Sequence, residues 1–320
     1  MIGTLLLLLP ATALGAAVAS ENEPCIGCIT PQSQQQHGSC HAVVVYSEHS
    51  PENVADIRAM VPEHCRLFVY DTGEAYQMPG AVSAKAANCQ LPQLANTQCT
   101  AIPNLGREFG TLLFHLLSSA SHSDPPEWTL LIPSGLHKHS RSWHLEQMLR
   151  ETVQRPAGTP SNFWCIRGGP QPGDPPKLQR GRDAALHEML DFQGNLKALE
   201  DKYNALKPES TRFYPSTPSA LGKWLDVHVT QQQPTYNTST IIDQCEAVRA
   251  CNFGLLAIPG ADVLAHPQTF YQHLEHELRQ HTNPNEAYLV EKAAHVVFAP
   301  RDASARCAYE RSERARSRRE

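Results

Sequence analysis

The chain has no cationic excess: 27 Lys and Arg stand against 32 Asp and Glu, for a formal net charge of -5. Neutralising a run of phosphates takes a broad positive field, so a nucleic-acid partner is excluded. Beyond residue 20 no run is long and apolar enough to cross the ~30 Å of a bilayer's hydrocarbon core, which excludes a transmembrane helix after the N-terminal segment. There is no internal repeat, and no second cysteine pair spaced to complete a zinc knuckle with Cys25 and Cys28, because Cys245 and Cys251 stand too far apart. Disorder of most of the chain is excluded too, since 41% of the 320 residues are hydrophobic and only 18% charged, enough to bury a substantial core.

The N-terminal stretch is apolar from Ile2 to Val18, is interrupted by Pro10, and ends in small residues. That pattern predicts a signal peptide over residues 1–19, with an uncleaved anchor as the alternative, and places the chain in the secretory pathway, secreted or in the Golgi or ER lumen. All ten cysteines lie beyond that segment, and an even count in an oxidising compartment predicts structural disulfides. Cys25-Ile26-Gly27-Cys28 has no strand before it and no helical pattern after it, so a thioredoxin-like redox motif ranks low. Asn237-Thr238-Ser239 is a glycosylation acceptor and predicts a glycoprotein. Residues 20–39 read as a flexible leader, 40–300 as one α/β domain, and 301–320 as a charged disordered tail.

Within the domain, strands and helices alternate. Ala42–Tyr46, Arg66–Asp71 and Trp128–Ile132 are short apolar runs rich in branched residues, as expected of strands buried on both faces. Ser50-Pro51-Glu52 predicts a helix start, and Val54, Ile57, Met60 and Val61 continue at helical spacing. The pattern predicts a mostly parallel central sheet flanked by helices. A Pro- and Gly-rich insertion fills about 155–182, an amphipathic helix follows over Asp183–Leu206, and a short helix over Ala220–Val229. Phe253–Pro259 reads as a strand, then Pro267–Gln280 and Glu286–Phe298 as helices.

Three segments carry possible chemistry, and all three are expected at the carboxyl edge of the sheet, where open α/β sheets bind ligands. Asp71 ends the second strand, where it either contacts a ligand or merely caps a turn. Asn104-Leu105-Gly106-Arg107-Glu108 leads into a helix; free N–H groups and a guanidinium there make an anion site, with local surface pairing of Arg107 and Glu108 as the alternative. Pro133-Ser134-Gly135 ends the third strand and opens onto His137-Lys138-His139-Ser140-Arg141. His137 and His139 have no identifiable third metal ligand, so solvated side chains are the plainer reading.

The Ile102-Pro103-Asn104-Leu105-Gly106-Arg107-Glu108 segment, the following Leu113-Phe114-His115, the Trp128–Gly135 strand and turn, Phe253–Ile258, Phe270-Tyr271 and Tyr288–Lys292 together resemble the family called domain of unknown function 3431. The resemblance extends from about Ala42 to about Phe298, and Pro-Asn-x-Gly-Arg-Glu is its most specific part. It implies a nucleotide-sugar-transferase fold of the A type, and a glycosyltransferase-like protein acting on a glycan or glycoconjugate; the alternative is a noncatalytic secreted sugar- or anion-binding protein on the same fold. Such transferases generally hold Mn²⁺ or Mg²⁺ with an Asp-x-Asp pair, which this chain lacks; the resemblance leaves either metal open, and a metal-independent version would use fixed donors instead, drawn from Arg107, His137, Lys138, His139 and Arg141. On that reading Asp71, Asn104, Gly106, Arg107, Ser134, Gly135, His137 and His139 bind substrate. Glu108 or Glu291 acts as general base on an acceptor hydroxyl.

Overall fold

A computed structural model describes residues 39–46, 51–72, 94–118, 124–135, 141–156, 158–167, 189–191, 221–232, 245–249, 251–279, 285–301 and 307–310. The expected signal segment, the expected leader up to residue 38, the Cys25/Cys28 pair, the Asn237-Thr238-Ser239 acceptor sequence, and His137, Lys138 and His139 lie outside them.

The elements in chain order are β1 (Cys40–Tyr46), α1 (Pro51–Met60), β2 (Cys65–Asp71), β3 (Thr97–Ala101), α2 (Arg107–Ser118), β4 (Trp128–Pro133), α3 (Arg141–Glu151), β5 (Trp164–Arg167) and β6 (Met189–Asp191). There follow α4 (Leu221–Leu225), which runs into a π-helical turn (Asp226–Thr230), β7 (Cys245–Arg249), β8 (Cys251–Pro259), α5 (Gly260–Leu264), α6 (Gln268–Leu278), α7 (Asn285–Lys292), α8 (Ala294–Phe298) and β9 (Cys307–Glu310). None of the described helices is long and apolar enough to cross a membrane.

Six strands form one sheet in the order β3-β2-β1-β4-β8-β5, and β6-β7-β9 form a second. The α/β class is as expected, but the sheet arrangement is mixed rather than mostly parallel. Among the described residues β1–β2, β1–β4 and β2–β3 pair in parallel, whereas β4–β8, β5–β8, β6–β7 and β7–β9 are antiparallel. An apolar run buried on both faces announces a strand and says nothing of its direction, so β8 was legible as a strand and not as a reversed one.

The alternation of side chains along the strands divides the core in two. Ala42, Val44, Leu67, Val69, Leu130 and Ile132 point to the face covered by α1 and α3, where Val54, Ile57, Leu145, Met148 and Leu149 complete the cluster. Val43, Val45, Phe68, Tyr70 and Leu131 point to the opposite face, against Leu112, Leu113 and Leu116 of α2, Phe270, Leu274 and Leu278 of α6, and residues of α7 and α8. This distribution follows from crossover handedness: the chain adds β2 and β3 on one side of β1, then returns to add β4 on the other. Right-handed connections in the two directions place α1 and α2 on opposite faces.

Disulfides join Cys40 to Cys65 and Cys165 to Cys251, Cys99 is also bridged, and no cysteine among the described residues is free. Three expectations are corrected. Met189–Asp191, expected to be helical, is a strand. Trp164–Arg167 is a strand inside the stretch expected to be irregular. Cys307–Glu310, within the expected disordered tail, pairs with β7.

Candidate functional site

The chain reverses its direction of strand addition between β1 and β4, so the carboxyl ends of these two strands mark the topological switch point of the sheet. Backbone hydrogen bonds tie the strand exits together there. Thr72 N donates to Tyr46 O (2.9 Å), Ile102 N to Asp71 O (2.9 Å) and Ser134 N to Val45 O (3.1 Å). Because β8 runs antiparallel to β4, its first residues arrive at this same edge.

The loop from β3 to α2 is shaped by two glycines. Gly106 is buried with φ +72°, and a Cβ there would sit 2.9 Å from both Cβ and the carbonyl oxygen of Leu278 on α6. A Cβ on Gly110 would sit 2.2 Å from the Leu105 carbonyl oxygen, so the loop folds back over the first turn of α2 only because that position carries none. Arg107 follows with φ +56°, a left-handed conformation in a residue other than glycine, which costs on the order of 1–2 kcal/mol. Strain of this kind persists where the surroundings hold it, and here it points the first helical residue away from an ordinary helix start.

Arg107 Nε lies 3.4 Å from Glu108 Oε2, each side chain about 30% exposed. The Glu108 side chain runs beside Gly254 of β8 and Pro133 of β4; a Cβ on Gly254, which has φ +63°, would stand 3.7 Å from Glu108 Cγ and from Pro133 Cγ. From α7, Glu291 Oε1 lies 3.8 Å from Lys292 Nζ, and the buried Lys292 ammonium donates to Asn252 Oδ1 at the start of β8. Burial lowers the Lys292 pKa; Glu291 opposes that shift, and the Arg107 guanidinium adds to it, which places the two cations within each other's field.

The fold therefore gathers Gly106, Arg107, Glu108 and Glu291, four of the residues singled out from sequence, with Ser134 buried beside them at the end of β4 and Gly135 next to it, half-buried. Asn104 is half-buried within the loop that leads to Gly106. Asp71 is buried at the same edge on β2, close enough to Tyr46 that its carboxylate, after burial itself, raises the tyrosine pKa. The strand order sets β2 three strands from β8, about 14 Å. His137 and His139 fall outside the described residues.

Sequence reasoning missed Asn252 and Lys292. The signal for Lys292 was available: it sits among Leu289, Val290 and Ala293 on the face of α7 that the apolar spacing marks as buried. Asn252 had none, since one amide beside a cysteine reads equally well as a strand end.

The donor set at this edge does not fit a divalent cation held by paired carboxylates. Glu108 and Glu291 each face a cation, and among the described residues the group of three metal-capable side chains with converging ligand atoms is elsewhere, at His228, His273 and Glu277. Burial lowers the pKa of His228 and of His273, with Glu277 opposing both shifts.

A further polar cluster lies at the far end of α2. The Tyr70 hydroxyl is 2.8 Å from His115 Nδ1, and His115 Nε2 is 3.3 Å from His41 Nδ1, with the Phe68 ring packed against both imidazoles. Burial pushes His115 down to about 3, helped by His41, and pushes His41 down to about 4, helped by Arg66. Burial likewise pushes Tyr70 up to about 12, against a hydrogen bond from Ser118. Comparison with protein-family models, with curated proteins and with solved structures finds no match to this chain.

Proposed function

We propose that this chain is a luminal or secreted glycosyltransferase-like protein that binds a sugar nucleotide at the carboxyl edge of β1, β2 and β4, where β8 begins, and acts on a glycan. The observation that carries the reading is the meeting of a strained Gly106-Arg107-Glu108 helix start with Glu291 and buried Lys292 outside a topological switch point. Arg107 and Lys292 supply fixed positive charge of the kind that offsets a departing nucleoside diphosphate without reorganisation. Glu291, half-buried beside a cation, is the carboxylate placed to take a proton from an acceptor hydroxyl, and Glu108 the alternative. Asp71, about 14 Å away across the strand order, is positioned for the nucleoside end of an extended donor. The bridges Cys40–Cys65 and Cys165–Cys251 are compatible with an oxidising compartment.

The second reading, a noncatalytic sugar- or anion-binding protein on the same fold, is favoured by one observation: both carboxylates offered as bases already face Arg107 or Lys292. Thermal-shift binding of UDP-, GDP- and CMP-sugars, each with and without Mn²⁺, separates the two. Stabilisation by one donor that Arg107→Ala abolishes, together with donor turnover that Glu291→Gln removes, supports the transferase. The same stabilisation without turnover supports the binding protein. No shift with any donor refutes the sugar-nucleotide proposal and favours a noncatalytic protein that binds another sugar or anion.

A further inference from the structure

The π-helical turn Asp226–Thr230 and helix α6 carry a second constellation, away from the strand exits. The turn is closed by a hydrogen bond from Gln231 N to Asp226 O, 3.0 Å, five residues apart. An inserted residue of this kind rotates the side chains that follow it, and such turns recur at functional positions. Here His228, in the middle of the turn, is buried and faces α6, where His273 and Glu277 stand one helical turn apart and half-buried. His228 Nδ1 is 3.0 Å from His273 Nε2, and one ligand atom from each of the three side chains lies within 4.8 Å of the others. The His228 ring stacks against His273 and lies 5.2 Å from the Trp224 ring, so its orientation is set by packing.

We propose that His228, His273 and Glu277 form a zinc-binding site. Two imidazoles and one carboxylate suit a borderline divalent ion and do not suit Mg²⁺ or Ca²⁺, which take oxygen ligands. A tetrahedral zinc ion with bonds of ~2.0–2.1 Å holds neighbouring ligand atoms about 3.4 Å apart. The imidazole nitrogens already stand near that separation, and rotation of the Glu277 side chain closes the third edge. Metal then takes the place of the proton shared between the two imidazoles, and water fills the fourth position on the half-exposed side. The site staples the π turn to α6, whose next residue, Leu278, forms the wall against which Gly106 packs. Zinc thus acts on the Gly106-Arg107 loop by fixing the helix behind it. The proposal stands whether or not a sugar nucleotide binds at the sheet edge.

The test is titration of the full chain, stripped with EDTA, with ZnCl₂ and separately with MgCl₂, followed by calorimetry and thermal melting. The wild type takes up one tight equivalent of zinc, and at a hundredfold excess over Kd its Tm rises by about 5 °C or more, while Mg²⁺ leaves it unchanged. Glu277→Gln keeps the metal-free Tm, His273→Ala lowers it by removing the partner of buried His228, and both bind zinc at least tenfold more weakly. Absence of tight zinc binding by the wild type overturns the proposal, as does undiminished binding by both variants. Should His273→Ala fail to fold, X-ray absorption of wild-type zinc decides: two imidazole shells without sulfur uphold the assignment, and sulfur or a single imidazole overturns it.

Discussion

Acidification from about pH 7.5 to about pH 5 is expected to destabilise the protein through His115, and the effect can be isolated with one substitution. His115 is fully buried between Phe68, Tyr70 and His41, with its folded pKa at about 3 against 6.5 in an open chain. A depressed folded value means that the unfolded state takes up the proton first. The contribution of the neutral imidazole is therefore whole above pH 6.5 and is lost progressively as pH falls toward 3. Linkage gives a loss of about 2 kcal/mol by about pH 5 for this one group, and about 1.4 kcal/mol per further pH unit until the folded pKa is approached. His41, lowered to about 4, acts in the same direction with a smaller, solvent-screened share, because it is partly exposed. Other histidines also contribute to the total slope, so the quantity to measure is the difference between wild type and His115→Gln in urea unfolding at several pH values. The variant is less stable at neutral pH, having lost the hydrogen bonds to Tyr70 and His41. The gap closes by about 2 kcal/mol on reaching about pH 5. A gap that stays constant across that range refutes the account of His115 as a buried neutral imidazole.

Gly106→Ala introduces a Cβ at φ +72° and drives it against Leu278, so a loss of about 2–4 kcal/mol is expected in thermal melts. An unchanged Tm refutes the close packing of the loop on α6. Replacing both Cys165 and Cys251 by Ala opens a closure with a sequence separation of 86, for which the chain-entropy relation gives about 4.5 kcal/mol, and denaturant unfolding under non-reducing conditions should show a loss of that order. A loss below about 1 kcal/mol would mean that the β5–β8 pairing alone holds that edge.

What could be read from the residues in order depended on how much physical pattern each element carried. β1, β2, β4 and β8 are buried on both faces and were visible as apolar runs, and α6 and α7 as helical spacing closed by loops. β3, Thr97–Ala101, was not visible: it is an edge strand of polar and small residues, held on one side by β2, and nothing in Thr-Gln-Cys-Thr-Ala distinguishes it from a loop. β5 was hidden by its Pro- and Gly-rich surroundings. The Gly-Arg-Glu helix start was legible because its chemistry is local in sequence. The partnership of Lys292 with Asn252 was not, since it joins residues 40 apart through a strand whose direction no periodicity reveals.

The bridge between Cys40 and Cys65 joins the first residues of β1 and β2, which are also partners in the parallel register. It converts the opening strand and its helix into a covalent ring from which β2 leaves at the point of closure. A parallel pair ordinarily has to search for its alignment across the whole crossover before any contact rewards it. In the oxidised chain that search is over even when every hydrogen bond has melted. The first parallel pair of the sheet keeps a covalent memory of its alignment, and the strand exits at the other end are left to be shaped by non-covalent contacts.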